Sequence, residues 1–145
     1  MTKLLSITAQ HDAPVACDMT AAEDTLAERM AEYRRLFDQA LVARESTDSS
    51  TTFRLAGRPG VQEWVLDLVR REAVCCPFLS HEVDTQDDPA GEQIVWTTEG
   101  LGASDLAVLD EFLAGPGQPG ETSESLAQQL TERGGVPVLV PGADR

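Results

Sequence analysis

The chain has 145 residues, with 25 Asp plus Glu against 11 Lys plus Arg and a formal net charge of −14. That balance argues against a nucleic-acid partner, which needs clustered cations to neutralise phosphates, and against docking on an anionic membrane. A hydrophobic share of 41% with periodic stretches fits one folded domain rather than disorder, and a core of this size needs no covalent staples.

Residues 1–12 read as an N-terminal arm. Its apolar patch, Leu4 to Ile7, is too short for a signal peptide, and no apolar run approaches the ~20 residues of a membrane span. With only three cysteines, at 17, 75 and 76, the expected setting is a reducing, cytoplasmic one in which thiols stay free. Ala13 to Cys17 reads as a short strand with Pro14 at its edge. Thr20-Ala21-Ala22-Glu23 has the form of a capping box, and Leu26, Met30, Tyr33, Phe37 and Leu41 recur at helical spacing, which predicts a helix over 21–44. Thr51 to Ala56 alternates as a strand. After Gly57-Arg58-Pro59-Gly60, the residues Val61, Trp64, Val65, Leu68 and Val69 mark an amphipathic helix that Pro77 should end near Cys76.

Phe78 to Val83 and Gln93 to Thr98 predict a hairpin across an Asp84–Glu92 loop, and Ser104 caps a helix to Leu113. The domain so defined spans 13–114. It has the order β-α-β-α-β-β-α, an α+β fold with a small mixed or antiparallel sheet. Residues 115–145 read as a Gly/Pro linker and C-terminal appendage, with a weak helix over 123–133 and a proline-punctuated edge strand over 136–141. Phe53, Trp64 and Trp96 are assigned to the core.

Cys75-Cys76-Pro77-Phe78 carries the most chemical information. Neighbouring helical residues point about 100° apart, so both thiols reach one point only where the helix unwinds before Pro77. Cys17, at a strand end, supplies a third sulfur. Three thiolates select soft or borderline ions, so the expected site is metal-binding: Cys17, Cys75 and Cys76 around an ion of the Hg, Zn, Cd or As type, Hg or Zn first, with His81 as the fourth ligand zinc would want and His11 as a weaker one. A bland alternative exists for each: free cysteines are often core residues, and His81 on an alternating strand is often a hydrogen-bonded core side chain. Glu72, one turn before the cysteines, reads either as an acceptor of thiol protons or as a surface partner of Arg71 or Arg35. The helix C-terminus disfavours thiolates, and no C-x-x-C is present; both count against a thiol-redox enzyme. No glycine-rich phosphate loop suggests a nucleotide or flavin cofactor.

The box Arg71-Glu72-Ala73-Val74-Cys75-Cys76-Pro77-Phe78, with Val15-Ala16-Cys17-Asp18-Met19 upstream, resembles a little-characterised group of small bacterial proteins. These carry an E-x-x-C-C-P/S-F box and stand alone or fused behind MerR-type regulators. The resemblance covers about residues 13–113 and implies a thiol-lined site, with a regulator or other protein as partner. This chain departs from it in carrying Leu79 in place of a second aromatic, and in its tail. A fainter similarity to organomercurial lyase implies thiolates gripping mercury while a carboxyl, Asp18, Asp24 or Glu72, delivers a proton. The sequence therefore favours soft-metal sequestration, transfer or sensing. A thiol-dependent enzyme and an interaction domain with buried structural cysteines are the alternatives.

Overall fold

The computed structural model describes residues 1–10, 12–20, 22–100, 111, 122–134 and 137–141. Among the described residues ten elements follow in chain order: β1 (Thr2–Ile7), β2 (Cys17–Asp18), α1 (Leu26–Ala40), β3 (Leu41–Ser46), β4 (Ser50–Ala56), α2 (Val61–Cys75), β5 (Ser80–Asp88), β6 (Gly91–Glu99), α3 (Ser123–Gly134) and β7 (Val138–Leu139). Five strands form one sheet in the order β1-β5-β6-β4-β3, with every neighbouring pair antiparallel. A separate parallel pair joins β2 to β7. The protein is an α+β single domain with a mostly antiparallel sheet. Among the described residues no helix is long and apolar enough to cross a membrane.

The start and end of α1 both differ from expectation. Its capping box is built on Thr25 and Glu28: the Thr25 hydroxyl accepts from the Glu28 amide at 3.1 Å and the Glu28 carboxylate accepts from the Thr25 amide at 2.9 Å. Thr20 cannot serve, because its hydroxyl and amide both donate to Asp18 Oδ1, at 2.6 and 2.9 Å. At the other end the chain leaves the helix at Leu41, with φ −66° and ψ 124°. Leu41 to Ser46 is claimed instead by antiparallel pairing with β4 across a Thr47–Ser50 turn.

The expected arm contains the edge strand β1, paired with β5 from Thr2 opposite Thr85 to Ile7 opposite His81. The acidic stretch after Val83 is strand and not loop because β6 pairs along all of it, from Asp84 opposite Val95 to Asp88 opposite Gly91, while β1 reaches only Thr85 on the other side. Asp84 to Asp88 stays in register with β6, and Lys3 reaches Glu82 and Asp84 at 3.2 and 3.6 Å. The loop shrinks to a tight turn, where Gly91 takes φ 129°. At the other helix boundary in this half, α2 begins after Gly60 at φ 87° and stops at Cys75, as Pro77 requires.

Two apolar clusters result. One lies between the sheet and the two long helices, where Leu36, Leu55, Val65, Leu68, Val83 and Ile94 are fully buried. Phe53 and Trp96 belong to it; Tyr33 stacks on Trp96 with ring centroids 6.0 Å apart. The other gathers Met19, Leu26, Met30, Cys75 and Cys76 with Leu126 and Leu130 of α3 and Val140. Leu126 is fully buried and Ala27 N donates to Ser123 Oγ at 3.0 Å, so α3 packs against α1 and is part of this core. The helix expected over 104–113 and the linker over 115–120 lie outside the described residues, apart from Glu111.

Candidate functional site

The last turn of α2 carries Glu72, Cys75 and Cys76 at the mouth of the second cluster. Cys76 caps the helix: its amide still donates to Glu72 O at 2.8 Å, but its φ of −125° and ψ of 67° have already left the helical region. The side chain of Cys76 is thereby turned away from the direction that helical geometry gives Cys75. Opposite it stands Cys17, fixed by β2–β7 pairing, with its amide donating to Pro137 O at 2.9 Å. The Cα atoms of Cys17 and Cys76 are 4.4 Å apart and their sulfurs form a disulfide. Cys17 is half-buried, whereas Cys76 is 4% exposed.

Cys75 keeps a free thiol, and what it faces is Arg29. Arg29 lies within the apolar stripe of α1, three residues after Leu26 and four before Tyr33, and is 2% exposed. Its Nε and Nη2 donate to the two oxygens of Asp24 at 2.6 and 2.7 Å, and Nη1 donates to Glu72 Oε1 at 2.5 Å. Both terminal nitrogens also lie 3.9 Å from Cys75 Sγ. A second arginine extends the network: Arg71 bridges Asp24, Glu32 and Asp67, and Glu32 accepts from the Trp64 indole at 2.7 Å.

The electrostatics follow from these contacts. The Arg29 hydrogen bond holds the Asp24 carboxyl below its usual range, and the Arg71 hydrogen bond does the same for Glu32. Burial pushes the Cys75 thiol up, with the Glu72 charge adding to it and Arg29 opposing it. Burial also raises the Tyr33 phenol, with the Glu72 charge adding to it. Glu72 is accordingly neither a surface partner of Arg71 nor of Arg35. It is the carboxylate that joins the buried arginine to the cysteines, with Oε2 4.0 Å from Cys76 Sγ.

The expected metal site does not form. The sulfurs of Cys17 and Cys76 are bonded to each other, so neither is a thiolate ligand. Cys75 faces a guanidinium, a cation that repels metal ions. Among the described residues no group of three or more His, Cys, Asp and Glu side chains is placed to hold a metal ion. His81 is a core residue, 1% exposed. Its Nδ1 accepts from the Trp96 indole at 3.3 Å and lies 3.0 Å from Thr98 Oγ1. Because an indole N–H only donates, Nδ1 is unprotonated and the ring proton sits on Nε2. Burial lowers the His81 pKa to about 4. His11 lies outside the described residues.

Sequence reasoning placed three of these residues together and missed the fourth. Cys17 does meet Cys76, and Cys75 shares their cluster, but the first two form a disulfide in place of the free thiols expected. Arg29 was not singled out, although its signal was present: a charged residue inside an apolar helical stripe is buried with partners or not buried at all. No family model matches the chain, and neither does a curated protein or a solved structure.

Proposed function

We propose that the protein is a thiol–disulfide exchange protein in which Cys17 and Cys76 form the reversible couple. One observation carries this reading: the bridge joins a partly buried cysteine to a buried one at a helix end, beside a half-buried carboxylate and a third cysteine. Exchange proceeds by thiolate attack on one sulfur of a disulfide. Here an incoming thiolate reaches Cys17, the Cys17–Cys76 bond breaks, and Cys76 leaves as the thiolate. A second thiolate then attacks the external sulfur of the resulting mixed disulfide, and Cys17 leaves as the thiolate. This releases the external disulfide and leaves the two-thiol form, after two protons are taken up at Cys17 and Cys76. The substrates are small thiols or dithiol segments of partner proteins. In a cytoplasmic setting such a bridge is a working couple rather than a permanent staple.

Native protein equilibrated with graded ratios of reduced to oxidised glutathione tests this, read by mass spectrometry after acid quenching. The expected result is a reversible gain of two hydrogens per chain. In Cys76→Ser, a single glutathione should remain trapped on Cys17. A bridge that resists the whole series while folded, yet reduces readily in denaturant, is a structural staple, and the exchange reading then fails.

A further inference from the structure

We infer that Glu72 is the catalytic base of this couple, taking the proton of Cys76 when the disulfide re-forms; the inference rests on the exchange reading above. The need for a base comes from position. Cys76 sits at a helix C-terminus, where the exposed carbonyls disfavour a thiolate, and it is buried, which disfavours charge further. Left alone it would be a slow nucleophile.

The carboxylate that meets this need is held in place on one side and open on the other. Glu72 Oε1 is fixed by Arg29 Nη1 at 2.5 Å, and its side chain is only 17% exposed. Oε2 is left facing Cys76 Sγ at 4.0 Å, one helical turn away. Reduction frees the Cys76 side chain to rotate about χ1 and present its S–H to that oxygen. The groups that face Glu72 are Arg29 and Tyr33 of α1, Asp24 just before α1, and Cys75 and Cys76 of its own helix. Asp24 is neutralised by Arg29 and Arg71, which leaves Glu72 as the carboxylate with an oxygen available to sulfur.

The step balances. With a mixed disulfide on Cys17, Cys76–SH gives its proton to the Glu72 carboxylate. The thiolate attacks Cys17 Sγ, the new S–S bond forms, and the bond from Cys17 to the external sulfur breaks. The departing thiolate takes the proton back from Glu72. Reduction runs the same path in reverse, with Glu72 returning a proton to the Cys76 that leaves.

The test separates the two half-reactions. Reduced protein is mixed with oxidised glutathione, and mass spectrometry follows formation of the Cys17 mixed disulfide and then its resolution by Cys76. In Glu72→Gln, formation should keep its rate while resolution slows on the order of 100-fold near neutral pH, the scale of lost general-base help. The gap should close at alkaline pH, where hydroxide removes the proton. Glu72→Asp keeps a charge beside Arg29 but draws the carboxylate back from Cys76 by one methylene, so resolution should slow about tenfold with formation unchanged. This second variant carries the test if Glu72→Gln does not fold. Unchanged resolution rates in Glu72→Gln, or in Glu72→Asp, overturn the role of Glu72 while leaving the couple intact. Failure of the wild type to resolve the mixed disulfide overturns the exchange reading itself.

Discussion

Reducing the Cys17–Cys76 bridge should cost the fold about 4 kcal/mol. The figure comes from loop closure: the two cysteines are separated by 59 positions, and the chain-entropy relation for a loop of that length gives about 4 kcal/mol at 25 °C. The loop contains α1, β3, β4 and α2, so the bridge constrains the unfolded state of nearly half the chain. Urea unfolding of oxidised protein, compared with protein held reduced in excess dithiol, measures the difference, and Cys17→Ser should match the reduced form. Thermodynamic linkage adds a second readout. A 4 kcal/mol difference means that the folded couple is harder to reduce than the same disulfide in the unfolded chain by about 90 mV. A change below about 1 kcal/mol, with equal potentials folded and unfolded, would refute the loop-closure reasoning.

Other outcomes follow from the same contacts. Arg29→Met should lower stability by about 3 kcal/mol in urea, because it leaves the half-buried Glu72 carboxylate without its cation and Asp24 with Arg71 alone. Acid should weaken the fold between about pH 6.5 and 4, by up to about 3 kcal/mol. The folded His81 imidazole has its pKa near 4, so the unfolded state binds more protons in that window. Stability is complete above it and falls as pH drops; His81→Gln should flatten this part of the profile, and a slope that survives there points elsewhere. Oxidised native protein should show no fast-reacting thiol toward an aromatic disulfide reagent, and one per chain in denaturant, because Cys75 is buried and its pKa raised. A cationic disulfide such as cystamine should oxidise the reduced protein several-fold faster than anionic oxidised glutathione at low salt, with convergence at high salt. Exposed Asp18 beside Cys17 and the −14 net charge set that preference, and equal rates at low salt would remove it.

Where one element's own pattern decides, the sequence is readable. Val61 to Val69 makes α2 legible, the alternation of Gln93 to Thr98 makes β6 legible, and Pro77 marks the helix end that sets the cysteines apart. Where a distant partner decides, it is not. Thr2 to Ile7 becomes a strand only because β5 lies beside it, and Asp84 to Asp88 stays extended because β6 does. Leu41 to Ser46 satisfies helical spacing at its first residue, yet pairing with β4 claims it. The three cysteines were legible as a set, since no structural need explained them. Their pairing was not, because it depends on β7, some 120 residues away from Cys17, holding that residue against the end of α2.

A buried arginine between two carboxylates needs a reason beyond stability, because apolar groups of similar size hold such a position as well or better. The apolar clusters on either side already supply the core. What Arg29 supplies is direction. Its guanidinium has five N–H donors. Two serve Asp24 and one serves Glu72, which leaves one on each terminal nitrogen toward Cys75. Cys75 is thereby occupied by the guanidinium, and Cys76, freed from the helix by Pro77, is the thiol that meets Cys17. The same cation fixes one oxygen of Glu72 and leaves the other to Cys76. One charged side chain, set into an apolar stripe, thus sorts two adjacent cysteines into a bonded and a free one and points a carboxylate at the bonded one. Packing alone, which treats Cys75 and Cys76 as small apolar residues of equal size, would not distinguish them.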